Sequence, residues 1–482
     1  MIKSIYIHIP FCFKKCSFCD FKVHAIGKNI ANKLYNIELF DKYTNALIKE
    51  IELKSKILFN QQNLNNFYIN YYNNINKHKT FIKTNNYWNN KCIYSNIESI
   101  YFGGGTPMLF PSTNIKAILD TIKCNFNLTD NCEISIESDP KTFDLDKLSY
   151  LEEIGFNRLT MGVQSLDEKV LEKLNRSHIV SEVYKSIEII LSSKLLSKNF
   201  GLDLIQGLPL QNINSAIKDV NVLKTVAKHL SIYSLTLESN SSLYNNYKRI
   251  YYSRNHQDLQ ADMFLESNKL LKSTYNCKNS FNQYEISNFA LINTINSNNY
   301  AINHESVHNK NYWHMKDYLG FGVSASSKVA EYILKNETKL SKYMNTNINN
   351  YNQLNNEDIN KLNVNYLEAF NFNELVKLDY KEYLKYYLAS ILRTKEGANI
   401  KSINKILNLI FGENDIIKIN KINSICSRVY AYFENNVYIK DLKLDINLFD
   451  KIVFNDTICI FKNEFLIPFI DEILINLFIY ID

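Results

Sequence analysis

The chain has 482 residues, 46% of them apolar and 13% aromatic, which is enough to bury a sizeable core and to build more than one domain. Its formal charge of +6 is small for this length and comes from scattered Lys and Arg. With no concentrated basic block and no basic surface interleaved with aromatics, a nucleic-acid partner is not expected.

In chain order, Met1 runs almost directly into the strand-like Ile5-Tyr6-Ile7-His8-Ile9. No targeting signal is visible, which fits a cytoplasmic protein and leaves a mitochondrion or plastid open if the source is eukaryotic. Further strand candidates are Ile97–Phe102, Glu133–Ile136, Arg158–Met161, Gly201–Leu204 and Ser231–Leu235. Helix-like segments lie between them at Tyr43–Lys54, Asn114–Lys123, Asp146–Ile154, Val183–Leu191 and Ser215–Val226. Strands joined by crossover helices define an α/β fold with a parallel sheet, either barrel-like or open. Chemistry in such folds gathers at the C-terminal ends of the strands.

Two polar stretches interrupt this pattern. Asn60 to Asn96 is Asn-rich, lacks an apolar period and reads as a low-complexity insertion. Asn336 to Asp358 separates a core of residues 1–335 from a C-terminal part, residues 359–482. That part has helical patterns at Leu375–Leu392 and Ile400–Ile410 and β-like runs at Val437–Ile439 and Thr457–Phe461. Its longest apolar stretch, Phe465 to Tyr480, is broken by Pro468, Asp471, Glu472 and Asn476, so it reads as a core helix, short of the roughly 18–20 residues of a membrane span. No transmembrane segment is expected.

Nine cysteines are an odd number, and Cys12, Cys16 and Cys19 crowd together. That argues against a secreted disulfide scaffold and for reduced thiols or a metal centre. The C-x3-C-x2-C spacing, just past a strand, suits three ligands of a [4Fe–4S] cubane whose fourth iron stays open. A zinc site completed by His8 or His24, or unconnected core cysteines, are the alternatives. Cys92, Cys124, Cys132, Cys277, Cys426 and Cys459 are isolated and read as structural. One strand later comes Gly103-Gly104-Gly105-Thr106-Pro107, a turn whose bare backbone can approach a ligand closely.

Together with Tyr6-x-His8-Ile9-Pro10-Phe11-Cys12, Gly162-Val163-Gln164-Ser165, Leu202-Asp203-Leu204 and Gln283–Phe289, these motifs resemble the oxygen-independent coproporphyrinogen oxidase-like radical S-adenosylmethionine (SAM) family, and within it the HemW haem chaperone branch. The resemblance covers about residues 1–58 and 97–330. It implies a partial six-unit TIM-like barrel with a small helical, winged-helix-like C-terminal domain. It also implies a cluster on Cys12, Cys16 and Cys19, whose open iron would chelate SAM and whose electron would cleave it to a 5′-deoxyadenosyl radical. By the same resemblance Tyr6, Phe18, Gly104, Gly105, Thr106, Glu137, Gln164, Arg176 and Asp203 are SAM contacts. Arg176 suits a carboxylate, and Gln164 and Asp203 suit ribose hydroxyls.

Phe21 stands where the true oxidase of the family carries a fourth cysteine, which favours the chaperone branch. His308-Asn309-Lys310-Asn311-Tyr312-Trp313 matches that branch's haem-binding HNxxYW motif, making His308 the implied haem ligand. On the residues alone, a histidine packed beside core aromatics and a helical His304–His308 metal pair are alternatives. His308 is far from the cysteines in sequence, so a haem site separate from the cluster is expected. Ala325-Ser326 departs from the family's Ala-His, which touches only a secondary contact. The partners implied are haem, haem-acceptor proteins and a reductant, with a homodimer as one arrangement. Turnover of coproporphyrinogen III is the other function that the motifs allow.

Overall fold

The computed structural model describes residues 2–27, 33–59, 96–272, 280–292, 294–295, 301–346, 372–399, 453–454 and 457–458. All six expected strands form: β1 (Ile2–Ile9), β2 (Ile97–Gly104), β3 (Leu128–Ser138), β4 (Arg158–Gln164), β5 (Phe200–Gln206) and β6 (His229–Ser234). They pair in that order, every neighbour parallel. The expected helices follow strands β1 to β5 in turn, as α1 (Lys33–Phe59), α2 (Ser112–Asn125), α3 (Leu145–Ile154), α4 (Val180–Ser192) and α5 (Ile213–Leu223). Local sequence sets their ends. Asp144 caps α3 by accepting from Lys147 N, and Gly155 ends it in the left-handed region at φ 114°. Asn212 caps α5 through Ser215 N.

Away from register shifts in β1, β2 and β4, the strands largely alternate. Ile5, Ile7 and Ile9 of β1, Ile134 and Ile136 of β3 and Leu159, Met161 and Val163 of β4 join one apolar core with Leu47, Ile118, Leu151 and Val220 of the helices. Each such fully buried side chain contributes roughly 1.5–3 kcal/mol. The intervening positions are polar, and Tyr6, Tyr101, Glu137, Thr160, Asp203 and Ser231 face a central cavity. The period-two pattern therefore separates a dry helix-facing layer from a wet lumen.

Six further strands extend the sheet. β7 (Phe281–Gln283) and β8 (Asn288–Leu291) add antiparallel beyond β6. β9 (Asp317–Phe321) lies parallel to β1 on its other side. β10 (Ser326–Val329), β11 (Tyr332–Asn336) and β12 (Phe372–Lys377) follow antiparallel. The result is one twelve-stranded sheet in the order β12-β11-β10-β9-β1-β2-β3-β4-β5-β6-β8-β7. The sequence read the region around Gly320 only as Gly-rich, yet the glycine serves the strand. A Cβ at Gly320 would lie 2.1 Å from Ser326 O, so the return into β10 requires a bare backbone there.

The expected helix Leu375–Leu392 is split. Leu375 to Lys377 belong to β12, and the helix proper is Tyr380–Ile391, capped by Asp379. Thr457–Ile458 is extended as expected. The insertion up to Ser95, the runs Ile400–Ile410 and Val437–Ile439, and most of residues 359–482 lie outside the described residues. Among the described residues, no helix is long and apolar enough to cross a membrane.

Candidate cluster and SAM site

The cysteine loop hangs from the C-terminal end of β1. Phe11 anchors its base, fully buried with Phe40, Tyr43 and Phe110 rings 5.0–5.5 Å away. Phe11–Cys12 pairs with His24–Ala25, closing the loop on itself, and Cys19 N turns back to Cys16 O. The outer side is tied down by Ser17 N donating to Leu174 O and Leu243 N donating to Ser17 O, both at 2.9 Å. All three cysteines are free thiols of intermediate burial. Burial pushes Cys12 up to about 12, and burial also raises Cys19. Holding these sulfurs as thiolates therefore calls for nearby positive charge. Among the described residues, no group of three or more His, Cys, Asp or Glu side chains is arranged to hold a single metal ion. A cubane seats each thiolate on a different iron and needs no such convergence.

The Gly103–Pro107 loop at the end of β2 is laced to the cysteine loop. Gly105 N donates to Ile9 O and Thr106 N to Phe11 O, each at 2.8 Å. Gly105 cannot carry a side chain, since its Cβ would stand 2.6 Å from Phe11 O and 3.0 Å from Cys12 Sγ. Gly104 has φ +112°, and its Cβ would enter the His8 ring at 2.6 Å. Its N–H donates to Glu137 Oε2 at 3.0 Å, while Tyr101 OH donates to Glu137 Oε1 at 2.8 Å.

Arg176 joins three strand ends. Its Nη2 donates to Asp139 Oδ1 (2.5 Å) and Gly162 O (2.7 Å), and Nη1 donates to Cys16 Sγ (3.3 Å). Asp139 also accepts from Thr106 Oγ1 at 3.2 Å, and that hydroxyl is 3.7 Å from Cys12 Sγ. One cation thus faces the cluster loop with its carboxylate partner behind it. Gln164 ends β4 at φ +70°, and its amide lies against Gly162, where a Cβ would be 2.8 Å from Nε2. Phe18 packs against the apolar group of Val170, Leu174 and Tyr247, and does not line the cavity.

The cavity has a volume of about 540 Å³, ample for a small cofactor. Tyr6, Glu137 and Asp203 line it. Burial raises Glu137 to about 7 and Asp203 to about 6, and Asp203 Oδ1 has no partner. His308 lines it too, on the short helix α6 (Val307–Trp313). Glu133 caps that helix by accepting from Ser306 Oγ, Val307 N and His308 N at 3.1–3.3 Å. The imidazole is 2% exposed, with ring centres 4.9 Å from Tyr101, 4.6 Å from Tyr312 and 6.4 Å from Tyr6. The haem-motif residues His308, Asn309 and Tyr312 and the SAM positions Tyr6, Glu137 and Asp203 line the same cavity, while Cys12, Cys16 and Cys19 are not among its lining residues. Ser99 Oγ lies 2.8 Å from Ser4 Oγ and 2.9 Å from His308 Nδ1. His308 Nε2 has no partner. Burial lowers the His308 pKa to about 3, keeping the ring neutral and fit for a metal. His304 instead sits by Asn199 Oδ1 at 3.4 Å and does not line the cavity with His308. Phe21 is 64% exposed at the cavity's edge.

Sequence reasoning missed Asp139, Tyr101, Arg158 and His229. The signal for the last three was the polar alternation of the strands. Asp139 follows directly on the Glu133–Ser138 run.

These features belong to a radical SAM protein, and the Radical SAM superfamily profile matches residues 90–221. Proteins of that superfamily use a [4Fe–4S] cluster and SAM. The heme chaperone HemW of Buchnera aphidicola (from Acyrthosiphon pisum) is 31% identical over 72% of this chain and 74% of its own length. Escherichia coli HemW is 28% identical over 68% of this chain and 70% of its own. A Danio rerio relative, radical S-adenosyl methionine domain-containing protein 1, mitochondrial, is 29% identical over 67% and 60%. This chain belongs to the heme chaperone HemW family. The crystal structure of E. coli coproporphyrinogen III oxidase HemN, a radical SAM enzyme, shares the fold, with a TM-score of 0.62 at 18% identity over 100% of this chain and 90% of that one.

Proposed function

We propose that the chain binds haem and hands it to haem-requiring, respiratory acceptor proteins, using a [4Fe–4S] cluster on Cys12, Cys16 and Cys19 and SAM in the cavity beneath. In this reading Arg176 offers charge beside Cys16, and the bare Gly104 and Gly105 let the glycine loop pack against His8 and the cysteine loop. Tyr6, Glu137 and Asp203 border the space for the nucleoside. A cluster held there would offer the electron for SAM cleavage, which calls for an external reductant as a partner. A homodimer is compatible with this arrangement.

The observation that carries the haem reading is the partnerless Nε2 of buried His308, set among tyrosine rings in a 540 Å³ cavity. The chaperone names of the relatives support it. The second reading, oxidation of coproporphyrinogen III, shares the cluster and SAM positions. Phe21, which offers no thiol at the cavity's edge, favours the first. Haem titration of the reconstituted wild type and His308→Ala tests the assignment. We expect stoichiometric binding by the wild type and at least about tenfold weaker binding by the variant, with iron content unchanged. Unchanged affinity in His308→Ala removes the ligand.

A further inference from the structure

Below the SAM positions, two buried side chains aim unused donors into the same cavity. Arg158 opens β4 and is 1% exposed. Its Nη1 donates to Asn199 Oδ1 at 3.2 Å and His304 O at 3.0 Å, and lies 3.6 Å from Glu133 Oε2. Its Nη2 has no partner, although Arg158 lines the cavity. Glu133 is largely committed elsewhere, since it takes three donors from the start of α6.

His229 opens β6, is 2% exposed and lines the cavity as well. Its Nε2 is 2.8 Å from Tyr284 OH, and its Nδ1 has no partner. The Tyr284 hydroxyl accepts from Ser306 N at 3.2 Å, so the acceptor left for its own proton is His229 Nε2. Nδ1 of His229 therefore carries the hydrogen, and two N–H groups face the cavity without an acceptor. A fully buried donor left unmet is costly, and a guanidinium edge beside an imidazole N–H is the donor set of a carboxylate. Burial raises Asp203 and Glu137, and Asp203, which Arg158 draws back toward its charged form, makes no hydrogen bond to either unmet donor.

Both residues sit at the N-terminal ends of their strands, opposite the cluster loop. Glu133 ties them to His308, because its carboxylate accepts from His308 N at 3.1 Å and stands beside Arg158.

We propose that Arg158 and His229 form a carboxylate subsite on the cavity floor that anchors a propionate of the tetrapyrrole held by His308. The proposal rests on the haem reading and adds which end of the ligand enters first. The amino-acid carboxylate of SAM offers the same chemistry, so the experiment separates the two sources.

Reconstituted protein is titrated with haem, with haem dimethyl ester, whose propionates are capped, and with SAM. The wild type is expected to prefer haem over the ester by about tenfold or more. In His229→Phe and Arg158→Gln that preference falls to below about threefold, through loss of haem affinity alone. If the buried Arg158→Gln protein does not fold, His229→Phe carries the test. Equal wild-type affinities for haem and ester, or a preference that survives in the folded variants, overturn the subsite and leave haem binding standing. A loss that falls on SAM instead assigns the donors to SAM and also overturns it. Failure of the wild type to bind haem at all overturns the haem reading and the subsite together.

Discussion

Replacing Gly105 by Ala tests whether the glycine loop exists to let the cysteine loop sit where it does. The added Cβ would stand 2.6 Å from Phe11 O, 2.9 Å from Pro10 C and 3.0 Å from Cys12 Sγ. The first two are backbone atoms with no rotamer to change, and Phe11 is locked in its aromatic nest. The loops must therefore separate, and the 2.8 Å bond from Thr106 N to Phe11 O is the first to lengthen. Losing one such bond costs about 0.5–1.5 kcal/mol. Overpacking adds roughly 1–3 kcal/mol. A total of about 1.5–4.5 kcal/mol is below the usual 5–15 kcal/mol of fold stability, so the protein should fold while Cys12 shifts. Anaerobic reconstitution should give substoichiometric iron and sulfide and weak charge-transfer absorption, with a lowered but cooperative thermal transition. A full four-iron complement at wild-type stability would refute the reasoning.

Two further outcomes follow from the same geometry. Arg176→Lys keeps a charge but cannot reach Asp139, Gly162 O and Cys16 Sγ at once; SAM affinity should fall about tenfold or more, read by equilibrium dialysis, and wild-type affinity would remove Arg176 from the site. Burial lifts Glu137 from its ordinary 4.5 to about 7, so between those values the folded chain holds more protons than the unfolded one and stability falls as pH rises, by about 3 kcal/mol across the window. Glu137→Gln should flatten that part of the urea-unfolding profile of cluster-free protein, and an unchanged slope would contradict the buried-acid assignment.

Much of the core was legible because period-two alternation is a local property. Ile5, Ile7 and Ile9 had to share a face, and the glycines after β2 had to mark a close approach. β9 was hidden because Gly320 and Gly322 look like a turn until the partner strand is known. The helix expected from Leu375 missed its start because Asp379, the true cap, lies inside the apolar pattern. Arg158 and His229 look like strand ends, and only the curvature of the sheet aims them at one point. Sequence distance also hid that His308 shares a lumen with residues of β1 to β6.

The most direct test of the central claim uses one anaerobically reconstituted preparation, titrated with haem and then incubated with SAM, reductant and coproporphyrinogen III. The account expects a four-iron cluster, one haem per chain and no protoporphyrinogen. Protoporphyrinogen formation over repeated turnovers, or a loaded cluster with no haem binding, would contradict it.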